Sequence, residues 1–237
     1  MSGLSVEGRD QAVLGSGPTH GRPRRRPRSS LRVRNAVLRV LWRRGLPPAL
    51  SRLARVAEVL AARPPRTVED PARKLAAVAV VFVPDPDAVL LIRRAEREGD
   101  RWSGQMAFPG GRWSPEDPDL LTTARRETAE EVGVNLAPAR LLGRLDDSAP
   151  RSQTLPPIIV SPYVFALDRR QPLAPNHEVA GAVWAPLDEL LDPRNYRPFE
   201  YESQGARLLF PGYHLEVGVV WGMTERILTP LLRLIHP

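Results

Sequence analysis

Three glutamates in a short segment that ends in glycine constrain this chain most. Glu127, Glu130 and Glu131 stand at i, i+3 and i+4, so a helix places their side chains close together. Like charges at that spacing destabilise a helix, and a bound cation would remove the conflict. The alternative is an ordinary exposed helix in which Arg126 pairs with Glu130 at i, i+4.

Local signals define the ends of this helix. Asp117 is a good N-cap, Pro118 suits the first helical position, and Gly133 suits the position that ends a helix. Apolar and small residues recur at helical spacing on a different face from the glutamates: Leu121, Ala124, Thr128 and Val132. We therefore expect an amphipathic helix that packs on a core.

The residues before the helix allow a ligand to approach the backbone. Gly110 and Gly111 have no side chains, and they can adopt positive φ angles if the turn requires them. The chain has no cysteine, and its four histidines show no ligand spacing, so any metal must be bound by oxygen. Oxygen ligands suit Mg²⁺ or Mn²⁺, which bind phosphates and activate water. Arg126 is placed to orient Glu127 by a bidentate hydrogen bond.

Together these residues resemble the signature of the Nudix hydrolase family, G-x5-E-x7-R-E-U-x-E-E-x-G-U, where U is apolar. Gly111 takes the first position, and the second half is matched from Arg126 to Val134 with Thr128 at an apolar position. The first half departs, because Asp117 replaces the glutamate, with Glu116 beside it as a second candidate, and eight rather than seven residues separate Asp117 from Arg126.

The family resemblance implies roles for several residues. Glu127 and Glu131 would be the principal metal ligands, Glu130 would assist them, the backbone carbonyl of Gly110 would contribute, and Arg126 would orient a carboxylate. The implied cofactor is Mg²⁺ or Mn²⁺. The implied fold class is α/β, a Nudix α/β/α sandwich with a mixed β-sheet.

Within the family, the chain resembles the coenzyme A diphosphatase group. That group has Gly-Gln-x-x-Phe-Pro-Gly-Gly before the box, as residues 104–111 do here, and the segments 177–187 and 220–224 are also similar to it. The resemblance implies that the first of these segments supplies Glu178 as a further catalytic carboxylate, and a solvent-exposed loop residue is the alternative. The group's upstream substrate motif is only partly present, because Ile92 replaces a threonine and Asp100 stands where a second arginine is expected.

The resemblance and the charge pattern suggest substrate-binding residues. These are Arg94, Arg101, Phe108 and Gly111. The arginines of this loop, Arg97 included, have forked donors suited to a substrate phosphate. A solvated charged loop is the alternative.

Strands are predicted from apolar runs, and helices from periodic ones. The predicted strands are 75–83, 88–92, 141–145, 158–167 and 180–185, and the predicted helices beyond the box lie near 187–191 and 223–235. Residues 67–237 would form the Nudix domain. Residues 1–66 would be an extension, disordered over 1–30 and forming two short helices over 31–62.

The extension is strongly basic. Residues 1–66 have 15 arginines against three acids, whereas the rest has 19 basic residues against 24 acids. A nucleic-acid contact is one explanation, and a solvated tail is another.

The predicted protein is a cytoplasmic enzyme that hydrolyses a diphosphate bond in a nucleoside-diphosphate-linked small molecule. Coenzyme A or an acyl derivative is the leading substrate. Nucleotide sugars, dinucleotide cofactors or dinucleoside polyphosphates are the alternative. A ligand sensor without turnover and a nucleic-acid-binding protein are further readings, and a homodimer is left open.

Overall fold

Two nearly continuous apolar runs form the centre of the fold. The computed structural model describes residues 52–150, 155–203 and 206–236. Strands Lys74–Val83 and Ile158–Ala166 run parallel to each other, and every residue of the second is buried. Strands of a sheet that is covered on both faces have this uninterrupted apolar character.

These two strands belong to a mixed sheet of seven. Its strands are β1 (Lys74–Val83), β2 (Ala88–Arg94), β3 (Met106–Ala107), β4 (Gly110–Arg112), β5 (Arg140–Arg144), β6 (Ile158–Ala166) and β7 (Val179–Pro186). The order is β3-β2-β1-β6-β5, with β4 paired to β1 and β7 paired to β2. Only β1 and β6 are parallel among the described pairs, and the others are antiparallel.

Helices cover both faces of this sheet. They are α1 (Ala54–Ala62), α2 (Leu120–Val132), α3 (Leu187–Leu191) and α4 (Gly222–Ile235). On one face, Ala77, Ala79 and Val81 of β1 share a buried cluster with Ala124 and Val132 of α2. On the other face, Ala76 and its β6 neighbours pack against Met223 of α4. The predicted mixed α/β sandwich is therefore confirmed.

A second, antiparallel sheet follows α3. Its strands are β8 (Tyr196–Ser203), β9 (Ala206–Leu215) and β10 (Gly218–Trp221), in the order β10-β9-β8. No strand was predicted here. The reason is that alternate polar and aromatic residues are interrupted by Pro198, Pro211 and Gly212, which are signals that normally argue against strands.

The other strand and helix predictions are confirmed to within about two residues. The second predicted helix of the extension is α1, which lies beside buried Leu53 and itself buries Val56 and Ala57. The first helix and the disordered segment 1–30 lie outside the described residues. The boundary near residue 67 stays a prediction. No helix within the described part of the chain is long and apolar enough to span a membrane.

Candidate functional site

The helix α2 begins two residues later than expected. Its N-cap is Asp119, whose carboxylate accepts a 2.8 Å hydrogen bond from the backbone N–H of Thr122. The prediction of Asp117 as the cap is wrong, because the side chain of Asp117 is used elsewhere. Gly133 ends the helix as predicted, with φ 72° and its N–H donated to Ala129.

The apolar face of α2 is buried as expected. Ala124, Thr128 and Val132 have no measurable exposure. The hydroxyl of Thr128 donates to the carbonyl of Ala124 at 2.6 Å, so a polar residue is satisfied at a position where the family usually has an apolar one. Glu131 is drawn inward with this face and is 3% exposed.

Gly110 contacts both strand β1 and helix α2. Its strand, β4, pairs with β1 so that Gly110 lies opposite Val78. Its φ is +152°, and a Cβ there would overlap the backbone of Ala77 and Val78. Its N–H donates to Oε2 of Glu131 at 2.8 Å. The absence of a side chain therefore lets the loop backbone reach a buried carboxylate.

Gly111 provides the space in which Glu127 lies. A Cβ at Gly111 would overlap all three atoms of the Glu127 carboxyl group, so this carboxylate rests directly on the glycine backbone. Nothing in the sequence alone placed these two residues in contact. The two glycines thus serve different glutamates. Gly110 donates a hydrogen bond to Glu131, and Gly111 leaves space for the carboxylate of Glu127.

Arg126 links the carboxylates on the outer side of α2. Its Nε and Nη2 bind Asp117 at 3.1 and 2.9 Å, and its Nη1 lies 3.0 Å from Glu127 and 2.9 Å from Glu130. Arg126 therefore orients Glu127 as expected, but through one nitrogen, because the bidentate fork goes to Asp117. The predicted i, i+4 pair with Glu130 is also present.

Asp117 is a support for this arrangement. Its side chain is 5% exposed and also accepts a 2.9 Å hydrogen bond from the hydroxyl of Thr123. These partners lower the pKa of Asp117, the hydrogen bond from Arg126 most of all. Asp117 thereby fixes the guanidinium that in turn faces Glu127.

Replacing Asp117 by alanine is expected to reduce the free energy of unfolding by about 2 kcal/mol, because a buried hydroxyl and a half-buried guanidinium lose their partner. Urea denaturation measures this change. Asp70→Ala is the matched control, since Asp70 makes a similar pair with Arg73 but its carboxylate is 37% exposed, against 5% for Asp117, and it should cost at most about 1 kcal/mol. Equal losses in the two variants would contradict the supporting role of Asp117.

Glu178 approaches the same cluster from the other side. It lies immediately before β7, its charge raises the pKa values of Glu127 and Glu131, and its Oε1 accepts a 2.9 Å hydrogen bond from Arg97. Only the family resemblance had selected Glu178. The structure brings it together with the box glutamates, which are about 50 residues away in the chain.

The proposed substrate-binding residues are placed unequally. Arg94 binds Asp100 at 2.8 Å, and its charge lowers the pKa of Glu131, so it faces the cluster. Arg101 is exposed, and no described contact joins its side chain to the carboxylates. Phe108 is 3% exposed and therefore packs beneath the loop. Their roles in substrate binding stay predictions.

Burial dominates the electrostatics of the inner carboxylates. Burial raises the pKa of Glu131 to about 7, against the opposing hydrogen bond from Gly110. Burial also raises the pKa of Glu127, and Arg126 opposes that shift. Negative charge on these groups is therefore unfavourable until a positive partner is added.

The donor set fits a divalent ion that retains other ligands. Across the described ranges, no three histidine, aspartate or glutamate side chains are gathered closely enough to hold an ion by themselves. Mg²⁺ usually takes one or two carboxylates together with water and substrate phosphates. The buried Glu131 and the partly buried Glu127, both with raised pKa values and both beside a bare glycine backbone, suit such a shared site.

Metal binding should be coupled to proton release from Glu131. Because its pKa is about 7, the apparent Mn²⁺ affinity is expected to rise with pH from about 6 to 8, by up to tenfold per unit below the pKa, and then to level off. Calorimetric titration in buffers of different ionisation enthalpy measures the released proton. An affinity independent of pH over this range would contradict this coupling.

An α/β sandwich with a glycine pair facing helix-borne glutamates defines a class of phosphate-handling protein, and comparison with known proteins identifies the family. A model of the NUDIX domain matches residues 73–203, more than half of the chain. The chain therefore belongs to the Nudix family and is a Nudix hydrolase. Such enzymes act on nucleoside diphosphate derivatives and generally use divalent metal ions.

The chain is also similar to individual proteins. The chain is 33% identical over 159 residues to an uncharacterised Nudix hydrolase, NudL, of Yersinia pestis (strain Pestoides F), covering 66% of this chain and 77% of the relative. It is 39% identical over 141 residues to an uncharacterised protein of Schizosaccharomyces pombe, covering 55% of this chain but only 43% of that relative's length. A MutT/nudix family protein of Enterococcus faecalis has 17% identity and a TM-score of 0.45, covering 80% of this chain and 75% of that structure.

Proposed function

We propose that this Nudix hydrolase cleaves the diphosphate bond of coenzyme A or an acyl derivative with Mg²⁺ or Mn²⁺. The observation that carries the metal-dependent step is the placement of Glu131 against the backbone of Gly110 and of Glu127 against that of Gly111, with the charge of Glu178 raising the pKa values of both glutamates. This arrangement concentrates negative charge at a place where burial opposes it. A bound cation would offset that charge and could in turn bind a substrate phosphate.

Each residue of the cluster has a proposed part. Glu127 and Glu131 would bind the metal, with Glu130 and the carbonyl of Gly110 assisting. A bound ion supplies neutralisation of phosphate charge and a lower pKa for an attacking water. Arg126 keeps the Glu127 carboxylate against the glycine backbone.

Two residues at the mouth of the site would act on the substrate. Glu178, whose side chain is more exposed than those of Glu127 and Glu131, would orient or deprotonate the water. The charge of Arg94 lowers the pKa of Glu131, so Arg94 lies near the carboxylates. Its guanidinium would bind an oxygen of the diphosphate.

The choice of coenzyme A rests on the sequence of the loop and its partners. Residues 104–111 form β3, β4 and their connection, and the hydroxyl of Thr224 donates to the carbonyl of Met106 at 3.1 Å. Thus two segments that resemble the coenzyme A group, 104–111 and 220–224, are in contact. Nucleotide sugars, dinucleotide cofactors and dinucleoside polyphosphates remain the competing substrates, because Asp100 replaces an arginine of the group's motif.

A substrate panel tests this proposal. Coenzyme A, NADH, ADP-ribose, nucleotide sugars and dinucleoside polyphosphates are incubated with the full chain and Mg²⁺ or Mn²⁺, and products are separated by chromatography. We expect coenzyme A to have the highest kcat/KM and to yield 3′,5′-ADP and phosphopantetheine. Glu131→Gln should lose this turnover. Glu58→Gln removes the charge of an exposed carboxylate on α1 and is the control for Glu131→Gln. A higher kcat/KM for another panel member would overturn the coenzyme A proposal, and no turnover of any would contradict hydrolysis.

A further inference from the structure

A pocket outside the carboxylate cluster lies where β7, β3 and the β9–β10 turn meet. Its volume is about 260 Å³. Its lining residues are Arg93, Met106, Ala180, Gly181, Ala182, Val183 and Val217. One arginine therefore lies beside otherwise apolar lining residues, so the pocket offers hydrogen-bond donors next to apolar surface.

One wall of this pocket is the backbone of β7. Within the described part of the chain, β7 pairs only with β2, so its other edge has no strand beside it. An unpaired edge presents N–H and C=O groups at regular intervals, and these groups bind amides of an extended chain. The β7 residues that line the pocket are residues 180–183, and all four are at least partly exposed.

Arg93 directs its guanidinium into the pocket. Adjacent residues of a strand point to opposite faces, and Arg94 faces the carboxylate cluster while Arg93 faces Met106 and Gly218. The Nη2 of Arg93 donates to the carbonyl of Val217. Among the described residues, no carboxylate forms an ion pair with Arg93, so its remaining donors are available to a ligand carbonyl or hydroxyl.

The pocket adjoins the proposed catalytic cluster. Ala180 is two residues from Glu178, and Met106 is four residues before Gly110, which correspond to about 7 and 13 Å along an extended chain. Arg93 and Arg94 are neighbours across an irregularity in the pairing of β2 with β7. A substrate bound by its diphosphate at the cluster could therefore extend one arm into the pocket.

We propose that this pocket binds the pantetheine arm of the substrate. That arm is an extended chain with two amide groups and a dimethyl-substituted carbon, and its length is close to that of about four residues of a strand. The free edge of β7 suits the amides, Arg93 suits a carbonyl or the hydroxyl, and Met106 with Val217 suits the methyl groups. The inference rests on the proposed function, since it assigns a part of coenzyme A to a part of this chain.

Gly181 offers a probe that fills the pocket without disturbing the fold. A Cβ at this position meets no atom within 4 Å, and its φ lies outside the left-handed region. Gly181→Leu therefore occupies the space proposed for the arm. Ala137→Leu is the control, because it places a leucine side chain at an exposed position that does not line the pocket.

The test is calorimetric titration of 4′-phosphopantetheine into the full chain. We expect the wild type and Ala137→Leu to bind it equally, and Gly181→Leu to bind it at least about tenfold more weakly. Absence of binding by the wild type, or equal binding by Gly181→Leu, would overturn the assignment of the pocket.

Hydrolysis of coenzyme A is measured separately on the same proteins. Turnover by the wild type together with unchanged phosphopantetheine binding by Gly181→Leu would overturn the pocket assignment and leave the proposed function standing. Binding that Gly181→Leu abolishes, with no turnover of coenzyme A by the wild type, would support the pocket and overturn the proposed hydrolysis. The two proposals therefore fail in different ways.

Discussion

Glu131→Gln is expected to reduce kcat by roughly 10³-fold, because a neutral amide cannot supply the charge for a metal ion that contributes several kcal/mol to the transition state. The fold should remain, since glutamine has the shape of glutamate and can still accept the hydrogen bond from Gly110. Steady-state kinetics with saturating Mn²⁺ measures the loss.

The stability of the same variant provides a separate readout. Burial raises the pKa of Glu131 above its ordinary 4.5 to about 7, so the folded state binds more protons than the unfolded state between these values. The stability of the metal-free wild type therefore falls as the pH rises through this window. Glu131→Gln should remove this fall and be the more stable protein at pH 8. Loss of activity with loss of folding would contradict the assigned role.

Gly110→Ala is expected to lose stability, whereas Gly111→Ala is expected to lose activity. The first places a Cβ against the backbone of Ala77 and Val78 at a φ of +152°, so it should cost about 3 kcal/mol or more of stability. The second overlaps only the mobile end of Glu127, so the fold should remain while displacement of that carboxylate lowers kcat by roughly 10²-fold or more. Thermal unfolding and kinetics on both variants separate these effects.

Gly99→Ala is the control for these two changes. Gly99 also has a positive φ, at 79°, but a Cβ there meets nothing within 4 Å. Gly99→Ala should lower the free energy of unfolding only by the cost of a side chain on left-handed backbone, about 1 to 2 kcal/mol. If Gly110→Ala were no less stable than Gly99→Ala, the close approach of β4 to β1 would not hold.

Sequence predicted the sheet well where a strand is apolar throughout. β1 and β6 are recognisable because both faces of each are covered, so no alternation is needed to identify them. The strands β8 and β9 were missed because Pro198, Pro211 and Gly212 interrupt their pattern, whereas the aromatic contacts that stabilise them form only between the two paired strands. For example, the rings of Tyr196 and Tyr213 lie 4.7 Å apart across the two strands.

The residues of the Nudix signature could be identified from the sequence, but their arrangement in space could not. The spacing of Glu127, Glu130 and Glu131 identified one helix face, yet Glu131 turned out to be buried and Glu130 exposed. Local sequence cannot separate them, because burial depends on how the glycine loop packs over the helix. The fork from Arg126 to Asp117 was missed for the same reason, since Asp117 had been assigned to the cap.

Glu178 shows what a resemblance adds to local reasoning. Spacing and periodicity gave no reason to choose it over other loop acids. Its proximity to Glu127 and Glu131 arises from the pairing of β7 with β2, a contact between segments about 90 residues apart. Long-range pairing of this kind is visible in a structure and in a family pattern, but not in a single segment.

The packing of α1 on β5 has a practical consequence for shortening the chain. Gly143 of β5 has a φ of +156°, and a Cβ there would overlap the side chain of Leu60, so helix and strand are in close contact. Arg63 and Arg66 add ion pairs to Asp146 directly after this strand. A truncation that starts at residue 67 would uncover this apolar surface and leave Asp146 without either arginine. Removal of the arginine-rich arm for crystallisation or assay is better placed before Leu53, which keeps a soluble surface over β5.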